Sequence, residues 1–395
     1  MPWKSISVMD SRVEFVRLSE QGGVSVAELC RRFGISRQTG FVYLRRYREA
    51  GLAGLESRSR RPRSSPRQCR PEIEREVVAL RQAHPAWGGR KLARRLRDLG
   101  TADVPAPSTI TEILRRNGLL DPAEAVRHRA FQRFERSRPN QLWQMDFKGH
   151  IAIDSGRCHP LTVLDDHCRY SLGLAACGDE TLHTVKARLT SIFQRYGLPE
   201  AMLADNGSPW GGRHTGDYTA FEVWLMRLGV RLLHGRPYHP QTQGKDERFH
   251  RTLNVELLQT RRFLDLDHCQ MAFDAWRRVY NEERPHEALG LAVPASRYHA
   301  SPISFPAQLP EPLYDAADLI RRVSTDGYTH FKGRSVKLSQ AFTGLRVAFR
   351  PTATDGLWNV FFARFKIATL DLRNAKTHIN TVRDVSKHPS AISPV

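Results

Sequence analysis

Cysteine is scarce in this sequence, and its few thiols are not grouped. The six cysteines among 395 residues are Cys30, Cys69, Cys158, Cys168, Cys177 and Cys269. No two of them have C-x-x-C spacing, which argues against a structural zinc site. Six thiols in a chain of this length also do not make a disulfide framework, so we expect reduced cysteines in a cytosolic protein.

Long apolar runs are also missing. The longest, such as residues 172–177, fall far short of the roughly 20 apolar residues that span a bilayer, so no membrane partner is expected. The first residues mix charged and polar side chains and contain no apolar signal core, which argues against secretion. We therefore expect a cytoplasmic protein.

Acidic residues are few relative to basic ones. Asp and Glu total 41 against 61 for Lys and Arg, which gives a formal charge of +20 and a pI near 10.2. Residues 1–139 hold 29 basic and 15 acidic side chains, so most of the excess lies in the first third of the chain. Such an excess predicts a polyanionic partner, and arginine is well suited to phosphates and base edges.

The most basic segment is residues 57–70, which we interpret as a linker. It contains six arginines, two prolines and no acidic residue, a composition that cannot build a core. The segment is either a solvated tether or a basic arm that lies along DNA. The predicted DNA contacts of such an arm are Arg58, Arg60, Arg61 and Arg63.

Residues 1–56 are predicted to form a helix-turn-helix unit. Ser25 and Ser36 are suitable N-caps for two helices joined by a turn at Gly34, and Gly51 ends the second helix. The alternative is a helical hairpin that contacts other proteins. For the second helix we expect an inward face of Phe41, Leu44 and Tyr47. The expected DNA-reading face consists of Arg37, Gln38 and Arg45.

Residues 71–125 are predicted to form a second unit of three helices, followed by a linker at 126–139. His84-Pro85 stops the first helix, the segment 87–91 opens the second, and Pro107-Ser108 caps the third. The predicted DNA contacts of this unit are Arg90 and Lys91.

Residues 140–300 alternate between strand-like and helix-like patterns. Strands are predicted within 141–154, twice within 160–176 around a polar turn, and at 201–205 and 230–233. Helices are predicted at 182–196, 218–228 and 240–260. This order is typical of a mixed α/β sheet.

Three acidic residues stand out in this region. Asp146 lies within the first strand, Asp205 ends a later strand, and Glu247 lies about one turn into the last helix. If the strands are neighbours and the helix packs across them, three carboxylates meet, which is unfavourable at neutral pH without a cation. Hard oxygen ligands favour Mg²⁺ or Mn²⁺, and two ions about 4 Å apart can promote phosphodiester displacement.

Four ordered motifs contain or follow these acids. They are Trp143-x-x-Asp146, Asp205-Asn206-Gly207, Pro240-Gln241-Thr242-Gln243-Gly244-Lys245-x-Glu247-Arg248, and Tyr280-Asn281-x-x-Arg284-Pro285-His286. Together they resemble the DDE integrase core and, within that superfamily, bacterial insertion-sequence transposases of the IS481 type. The resemblance spans roughly residues 20–300.

This resemblance implies an RNase H-like core in which Asp146, Asp205 and Glu247 form the catalytic triad and bind two Mg²⁺ or Mn²⁺ ions. It also implies DNA partners, namely the terminal inverted repeats of an element and a target. Since two ends must be joined, we expect a dimer or tetramer on DNA, associated with the bacterial nucleoid. The zinc-binding domain of retroviral integrases is missing, and the helical units stand in its place.

Other polar residues near the motifs are given lesser roles. We expect Asp165 and Asp166 to be turn acids and Asp246 and Glu256 to be helix surface acids. Arg251 and Asn254 share the helix face of Glu247 and are predicted to bind DNA, although Arg251 can instead pair with Glu247 or Glu256. Asn206 either supports Asp205 or touches a phosphate, and Lys245 is a predicted phosphate contact.

Beyond the core we expect a linker at 301–316, a small β-barrel at 317–375 and a flexible tail at 376–395. The barrel either contacts DNA or only supports oligomer contacts. The sequence as a whole predicts a DNA transposase that cleaves element ends and joins them to a target. The alternatives are a catalytically silent, transposase-derived regulator and an RNase H-type nuclease.

Overall fold

The computed structural model describes residues 7–58, 69–120, 135–211, 217–234 and 244–373, and the backbone of 378–381. The chain divides into two compact units, one up to Gln68 and one from Cys69 onward. Three of the predicted DNA contacts, Arg60, Arg61 and Arg63, lie outside the described residues. Within the described ranges no helix has the length and apolar character to cross a membrane.

The first unit contains three helices, α1 (Val8–Glu20), α2 (Val26–Arg32) and α3 (Arg37–Ala50). The predicted caps of α2 and α3 are confirmed, because Ser25 accepts from the backbone N–H of Glu28 and Ser36 from that of Thr39. Gly51, with φ of 59°, ends α3 as expected. The apolar core of the unit consists of Phe15, Val16, Leu29, Cys30, Leu44 and Leu55.

The predicted inward face of α3 is wrong at Phe41, whose side chain is 59% exposed. Leu44 is buried as expected, but the other central contact is made by Gly40. A Cβ atom on Gly40 would lie 2.5 Å from Cys30 Sγ and 3.0 Å from the Phe15 ring, so glycine allows α3 to pack directly on its neighbours. Because Gly40 has no apolar side chain, the hydrophobic pattern of α3 indicated the adjacent Phe41 as a core residue instead.

The second helical unit contains α4 (Pro71–Ala83), α5 (Gly89–Asp98) and α6 (Pro107–Arg116), close to the predicted bounds. His84 ends α4, and its ring stacks on that of Trp87 at 3.8 Å. The N-cap of α6 is Ala106 rather than the predicted Pro107-Ser108 pair, and Pro107 is the first helical residue.

This second unit packs against α10 (Leu266–Glu282) of the following domain. Val279 of α10 contacts the apolar cluster that holds α4, α5 and α6 together. Arg95 of α5 donates to the carboxylate of Glu283 at 2.5 Å, and both side chains are largely buried. The face of α5 that contacts the domain is therefore not available to another partner.

A mixed sheet forms the centre of the following domain. Its strands are β1 (Trp143–Phe147), β2 (Ile151–Ile153), β3 (Gly156–Asp165), β4 (Ser171–Cys177), β5 (Ala201–Ala204) and β6 (Arg231–His234). β3 is antiparallel to β1, β2 and β4, whereas β1, β5 and β6 are parallel neighbours. The predicted α/β sheet is thus present, with the first predicted strand region split into β1 and β2.

Helices cover both faces of this sheet. The helices α7 (Leu182–Tyr196) and α8 (Ala220–Arg227) pack on one face with Trp143 and Met145. On the other face lie α9 (Gly244–Leu253) and α10, with Phe249 and Trp276 in the shared core. The predicted helix 240–260 corresponds to α9, of which the structure describes the residues from Gly244 onward. A π-helical turn at Asn254–Leu258 follows α9. The sequence patterns had not predicted α10.

The remaining strands form an open sheet and a hairpin. They are β7 (Leu319–Arg322), β8 (Tyr328–Phe331), β9 (Arg334–Lys337), β10 (Arg346–Pro351), β11 (Leu357–Phe362), β12 (Phe365–Asp371) and β13 (His378–Thr381). The sheet runs β13-β12-β11-β10-β7, and β8 pairs with β9. No closed barrel forms among the described strands, because β7 and β13 remain at opposite edges.

The position of β13 also corrects the predicted tail. Residues 378–381 were expected to be flexible, but they pair with β12 from Ala368 to Asp371. The sheet is anchored on the core domain through Tyr218, which donates to the carbonyl of Ile367 at 3.0 Å and accepts from Ser339 through its own carbonyl. These contacts fix the C-terminal sheet beside α8.

Candidate catalytic site

Asp146 and Asp205 lie at the same level of two adjacent parallel strands. Trp143 pairs with Met202 and Gln144 with Leu203, so each aspartate lies two residues beyond a paired position. Neighbouring strands are about 4.8 Å apart, and residues two positions apart share a face of the sheet. The expectation that these strands are neighbours is confirmed, and the two carboxylates lie at one end of the sheet.

Burial and neighbouring carboxylates both affect the pKa of Asp146. Its pKa is raised to about 6, first by burial and then by the nearby carboxylate of Asp205, with smaller contributions from Glu180 and Glu247. The backbone N–H of Phe147 partly opposes this shift. An aspartate that gains a proton this readily is surrounded by too much negative charge for its degree of burial.

Glu247 lies on the first turn of α9 and is exposed. Its helix packs against β1, the strand that carries Asp146. Nevertheless, among the described residues no three His, Cys, Asp or Glu side chains are grouped closely enough to hold a metal ion. The carboxylate triad as a metal site therefore stays a prediction.

Hydrogen bonds from His234 and Gly207 hold Asp205 in place. The Nδ1 of His234, at the end of β6, donates to the carbonyl oxygen of Asp205 at 2.8 Å. The Nε2 of His234 lies 3.3 Å from Glu222 Oε1, and both side chains are buried. The backbone N–H of Gly207 also donates to Asp205 Oδ1 at 2.9 Å. His234 was not among the predicted site residues. Its position at the end of a predicted strand, like that of Asp205, could have indicated it.

A second chain of hydrogen bonds fixes the backbone of Asp146. The hydroxyl of Thr162 donates to the carbonyl oxygen of Asp146 at 2.9 Å, so it must accept from His250 Nε2, which lies 2.9 Å away. Burial, with a smaller effect of Lys148, lowers the pKa of His250 to about 4, so this imidazole is neutral. His250 lies one turn beyond Glu247, and it therefore links α9 to β3 and β1.

Two acids predicted on the helix surface are instead turned inward. Asp246 is only 1% exposed, and its Oδ1 has no hydrogen-bond partner in the described part of the chain. Burial first, then Asp146 and Asp166, raises the pKa of Asp246 well above its usual value. The side chain of Glu256 is largely buried, and it accepts from Arg284 and Trp276.

Asp166 is the centre of a buried polar network rather than an ordinary turn acid. Its carboxylate accepts from Gln144 Nε2 at 2.6 Å, from the backbone N–H of Arg136 at 2.9 Å and from Lys245 Nζ. Lys245 is mostly buried, and burial lowers its pKa to about 8. The lysine that we expected to contact a phosphate thus holds α9 against the turn after β3. Asp165, which accepts from Asn140 and Cys168, is also buried.

The other predicted DNA contacts differ in exposure. The exposed ones are Arg37, Gln38, Arg45, Arg58, Arg90, Asn206 and Arg251, and Asn254 is partly exposed. Glu256 is paired with Arg284, which removes one of the two partners considered for Arg251. Lys91 instead lies against the core domain, where burial and Arg284 lower its pKa to about 8 while Glu256 opposes the shift.

The donor set at the ends of β1 and β5 suits a hard divalent cation. Two carboxylates lie at the ends of adjacent strands, a third lies on α9, which packs against β1, and the pKa of Asp146 is raised first by burial and then by Asp205. Oxygen ligands of this kind favour Mg²⁺ or Mn²⁺. The residues present therefore fit the predicted metal chemistry.

Known protein families match five segments of the chain. Residues 11–63 match a Helix-turn-helix domain family and residues 39–114 a Homeodomain-like domain family. Residues 136–240 and 228–294 match Integrase core domain families. Residues 318–378 match the C-terminal domain of the IS481 family transposases. These matches confirm the predicted helix-turn-helix domains and the integrase core with its RNase H-like fold.

Two curated relatives are proteins of bacterial insertion elements. The chain is 28% identical to the IS476 uncharacterized 39.2 kDa protein of Xanthomonas euvesicatoria, over 69% of this chain and 78% of that protein. It is 28% identical to the IS407 uncharacterized 31.7 kDa protein of Burkholderia multivorans, over 58% of this chain and 82% of that protein. A solved simian T-cell lymphotropic virus intasome, in complex with a PP2A regulatory subunit, aligns at 15% identity and a TM-score of 0.37, over 77% of this chain and 96% of that chain.

Proposed function

The chain resembles the DDE transposases of the IS481 type, and we propose that it is a DNA transposase that cleaves element ends and joins them to target DNA. The observation that carries this proposal is the shared register of Asp146 and Asp205 on adjacent parallel strands, with Glu247 on the helix nearby. Carboxylates that converge on one end of a sheet suit metal-dependent phosphodiester chemistry.

In this proposal Asp146, Asp205 and Glu247 hold two Mg²⁺ or Mn²⁺ ions. The ions supply charge that activates the attacking oxygen and stabilises the leaving oxygen. His234 and Thr162 hold the backbones of Asp205 and Asp146, so the two carboxylates keep their spacing while the DNA changes. The Asp166–Lys245 pair fixes the start of α9 and with it the position of Glu247.

The proposed reaction has two phosphoryl transfers. In the first, water attacks the phosphorus at the element end, the bond to the 3′ oxygen breaks, and the element keeps a free 3′ hydroxyl. In the second, that hydroxyl attacks a phosphodiester of the target, and a target 3′ hydroxyl leaves. Each attack replaces one oxygen on the phosphorus by another, giving a 5′ phosphate on the flanking DNA in the first step and a new phosphodiester in the second, so no covalent intermediate with the protein is needed.

DNA is the partner that the basic residues support. We propose that the helix-turn-helix units bind the terminal inverted repeats and that Asn206, Arg251 and Asn254 contact the strand being processed. Two ends must be held together for joining, so a dimer or tetramer on DNA, at the bacterial nucleoid, belongs to the same proposal. Contacts to phosphates would make binding weaken steeply with salt.

A strand-transfer assay tests the proposal. Purified full-length protein is mixed with a pre-cut element-end duplex, a plasmid target and Mg²⁺ or Mn²⁺, beside the Asp146→Asn variant. We expect joined products that require the divalent ion and disappear in the variant, while the variant still binds the end duplex. Tight DNA binding without joining under either ion would instead identify a catalytically silent regulator. Cleavage of RNA–DNA hybrids without joining would identify an RNase H-type nuclease.

A further inference from the structure

We propose that Phe41 reads DNA sequence directly, by placing its ring against the methyl group of a thymine in the major groove. This inference rests on the proposed function, since it assumes that α3 enters the groove of an element end. It goes further by naming a specificity residue and the chemical group that this residue contacts.

The position of Phe41 on α3 is the first argument. Arg37 and Gln38 lie four and three residues before it, and Arg45 lies four residues after it, so all four side chains share one face of the helix. All four are exposed, whereas Gly40 and Leu44, which lie along one edge of this face, are buried. Phe41 is therefore the apolar member of a polar face.

The exposure of Phe41 is the second argument. Its side chain is 59% exposed, although Leu44, three residues further along the same helix, is buried with Phe15 and Leu29 in the apolar cluster of the unit. Burying a phenyl ring is favourable, so an exposed ring forgoes that free energy in the isolated unit. A partner that covers this face would recover it.

The charge of the helix identifies the partner. α3 contains Arg37, Arg45, Arg46 and Arg48 against the single acid Glu49, and the ion pair between Arg45 and Glu49 is a 3.9 Å contact of exposed side chains. A face with this charge suits the phosphates that line a groove. Within the major groove the apolar group on a base-pair edge is the methyl of thymine, which is a known contact of phenylalanine.

The arginines and the phenylalanine then have different tasks. Arg37 and Arg45 sit one turn before and after Phe41, where they can reach phosphates or guanine edges on both sides of the contacted base pair. Phe41 contributes a methyl-sized apolar contact that distinguishes thymine from cytosine. The arginines supply most of the affinity, and Phe41 supplies selectivity at one position.

A selection experiment tests the inference and does not require a known element-end sequence. Full-length protein, kept in EDTA to prevent cleavage, selects duplexes from a randomised library, and the Phe41→Ala variant selects from the same library. We expect the wild type to enrich a thymine at one position within its site and the variant to lose that preference alone. Arg45→Ala should weaken binding to all sequences.

A second measurement changes the DNA instead of the protein. Replacing the selected thymine by deoxyuridine removes only the C5 methyl, and should weaken wild-type binding about fourfold, the equivalent of ~0.8 kcal/mol for one buried methyl-sized group. Phe41→Ala should bind both duplexes equally. The matched control is Leu52→Ala, which removes a 57% exposed apolar side chain of the same unit outside α3 and should keep the thymine preference.

The outcomes separate this inference from the proposed function. If the wild type selects no sequence, the proposed end recognition fails. If the wild type selects a site but Phe41→Ala selects the same bases and still discriminates thymine from deoxyuridine, Phe41 does not read the methyl. A change in oligomeric state in Phe41→Ala, with unchanged DNA selection, would assign this face to a protein partner and overturn the inference.

Discussion

Helices α1–α3 and helices α4–α6 each form a unit of three consecutive helices. The basic side chains of the two units differ in what they contact. In the second unit Arg95 pairs with Glu283, the residue that follows α10, and Arg116 of α6 pairs with Glu74 of α4. In the first unit the face of α3 that carries Arg37, Gln38 and Arg45 is exposed and includes Phe41. The same three-helix plan thus provides a candidate DNA-reading face in one unit and a protein contact in the other.

This difference shows how far basic composition can identify a DNA-binding surface. The sequence places Arg90 and Lys91 side by side at the start of α5, and both were predicted to contact DNA. In the structure Arg90 is exposed, while Lys91 is partly buried one turn before Arg95, which pairs with Glu283 of the core domain. Because consecutive residues on a helix point about 100° apart, neighbours of like charge can serve different partners.

The largest expected effect tests whether α1–α3 unfold separately from the part of the chain that begins at Cys69. Phe15→Ala and Trp87→Ala each remove a fully buried aromatic side chain and should cost about 3–5 kcal/mol of local stability. Because α1–α3 form their own compact unit, calorimetry of the full chain should show that Phe15→Ala shifts one transition only. Trp87→Ala should shift the transition that includes the core domain. If the full chain showed a single unfolding transition that moved in both variants, α1–α3 would not unfold separately from the rest of the chain.

The next effect breaks the contact between α5 and the core domain. Glu283→Arg places a cation beside Arg95 in a largely buried position and should destabilise the contact by about 2 kcal/mol. Chemical unfolding and limited proteolysis would measure this loss. The double variant Arg95→Glu/Glu283→Arg should restore most of it. Arg94→Ala is the control, since Arg94 pairs within α5 with Asp98, and should change stability by under about 0.5 kcal/mol.

A smaller effect should appear in the pH dependence of the second unit. Burial lowers the pKa of Lys91 from 10.5 to about 8, so the folded state releases a proton that the unfolded state keeps. Stability should therefore rise with pH between about 8 and 10. Lys91→Met should remove this rise and add about 1 kcal/mol at pH 7, measured by urea unfolding across that range. If the free energy of unfolding of the wild type changed with pH in parallel with that of Lys91→Met, the lowered pKa of Lys91 would be contradicted.

The smallest effect concerns DNA binding by the neighbours on α5. Arg90→Ala should weaken non-specific duplex binding about twofold to threefold and reduce the salt slope by about one. Lys91→Ala should leave both quantities unchanged, because Lys91 lies against the core domain. Titration of a random-sequence duplex at several salt concentrations would measure both. Equal losses in the two variants would show that α5 offers both side chains to DNA.

Much of the helical architecture was predictable because caps and turns are local signals. Ser25, Ser36 and Gly51 fix the bounds of α2 and α3 through hydrogen bonds to adjacent backbone and a left-handed φ. The orientation of α3 was less predictable. The inward residue Gly40 carries no hydrophobic signal, and its role depends on the close approach of Cys30 and Phe15 from other helices.

The candidate site shows the same division between local and long-range information. The position of Asp146 followed from alternation and that of Asp205 from a short apolar run that ends on an acid, but the burial of Asp246 and Glu256 did not follow from the sequence. Asp246 is buried because α9 packs on the sheet, and Glu256 because α10, a helix that the patterns missed, brings Trp276 and Arg284 to it. The open C-terminal sheet likewise depends on which strands pair, and a run of strand-like segments does not reveal whether its edges meet.

The parallel pairing of β1 with β5 means that the spacing of Asp146 and Asp205 is governed by backbone hydrogen bonds and not by the number of residues between them. Segments inserted after β4 or around α7 would lengthen the chain without moving either carboxylate. A single-residue deletion inside β5 would turn Asp205 to the opposite face of the sheet. The loops between β4, α7 and β5 can therefore grow or shrink, whereas a change of length inside β1 or β5 moves a carboxylate.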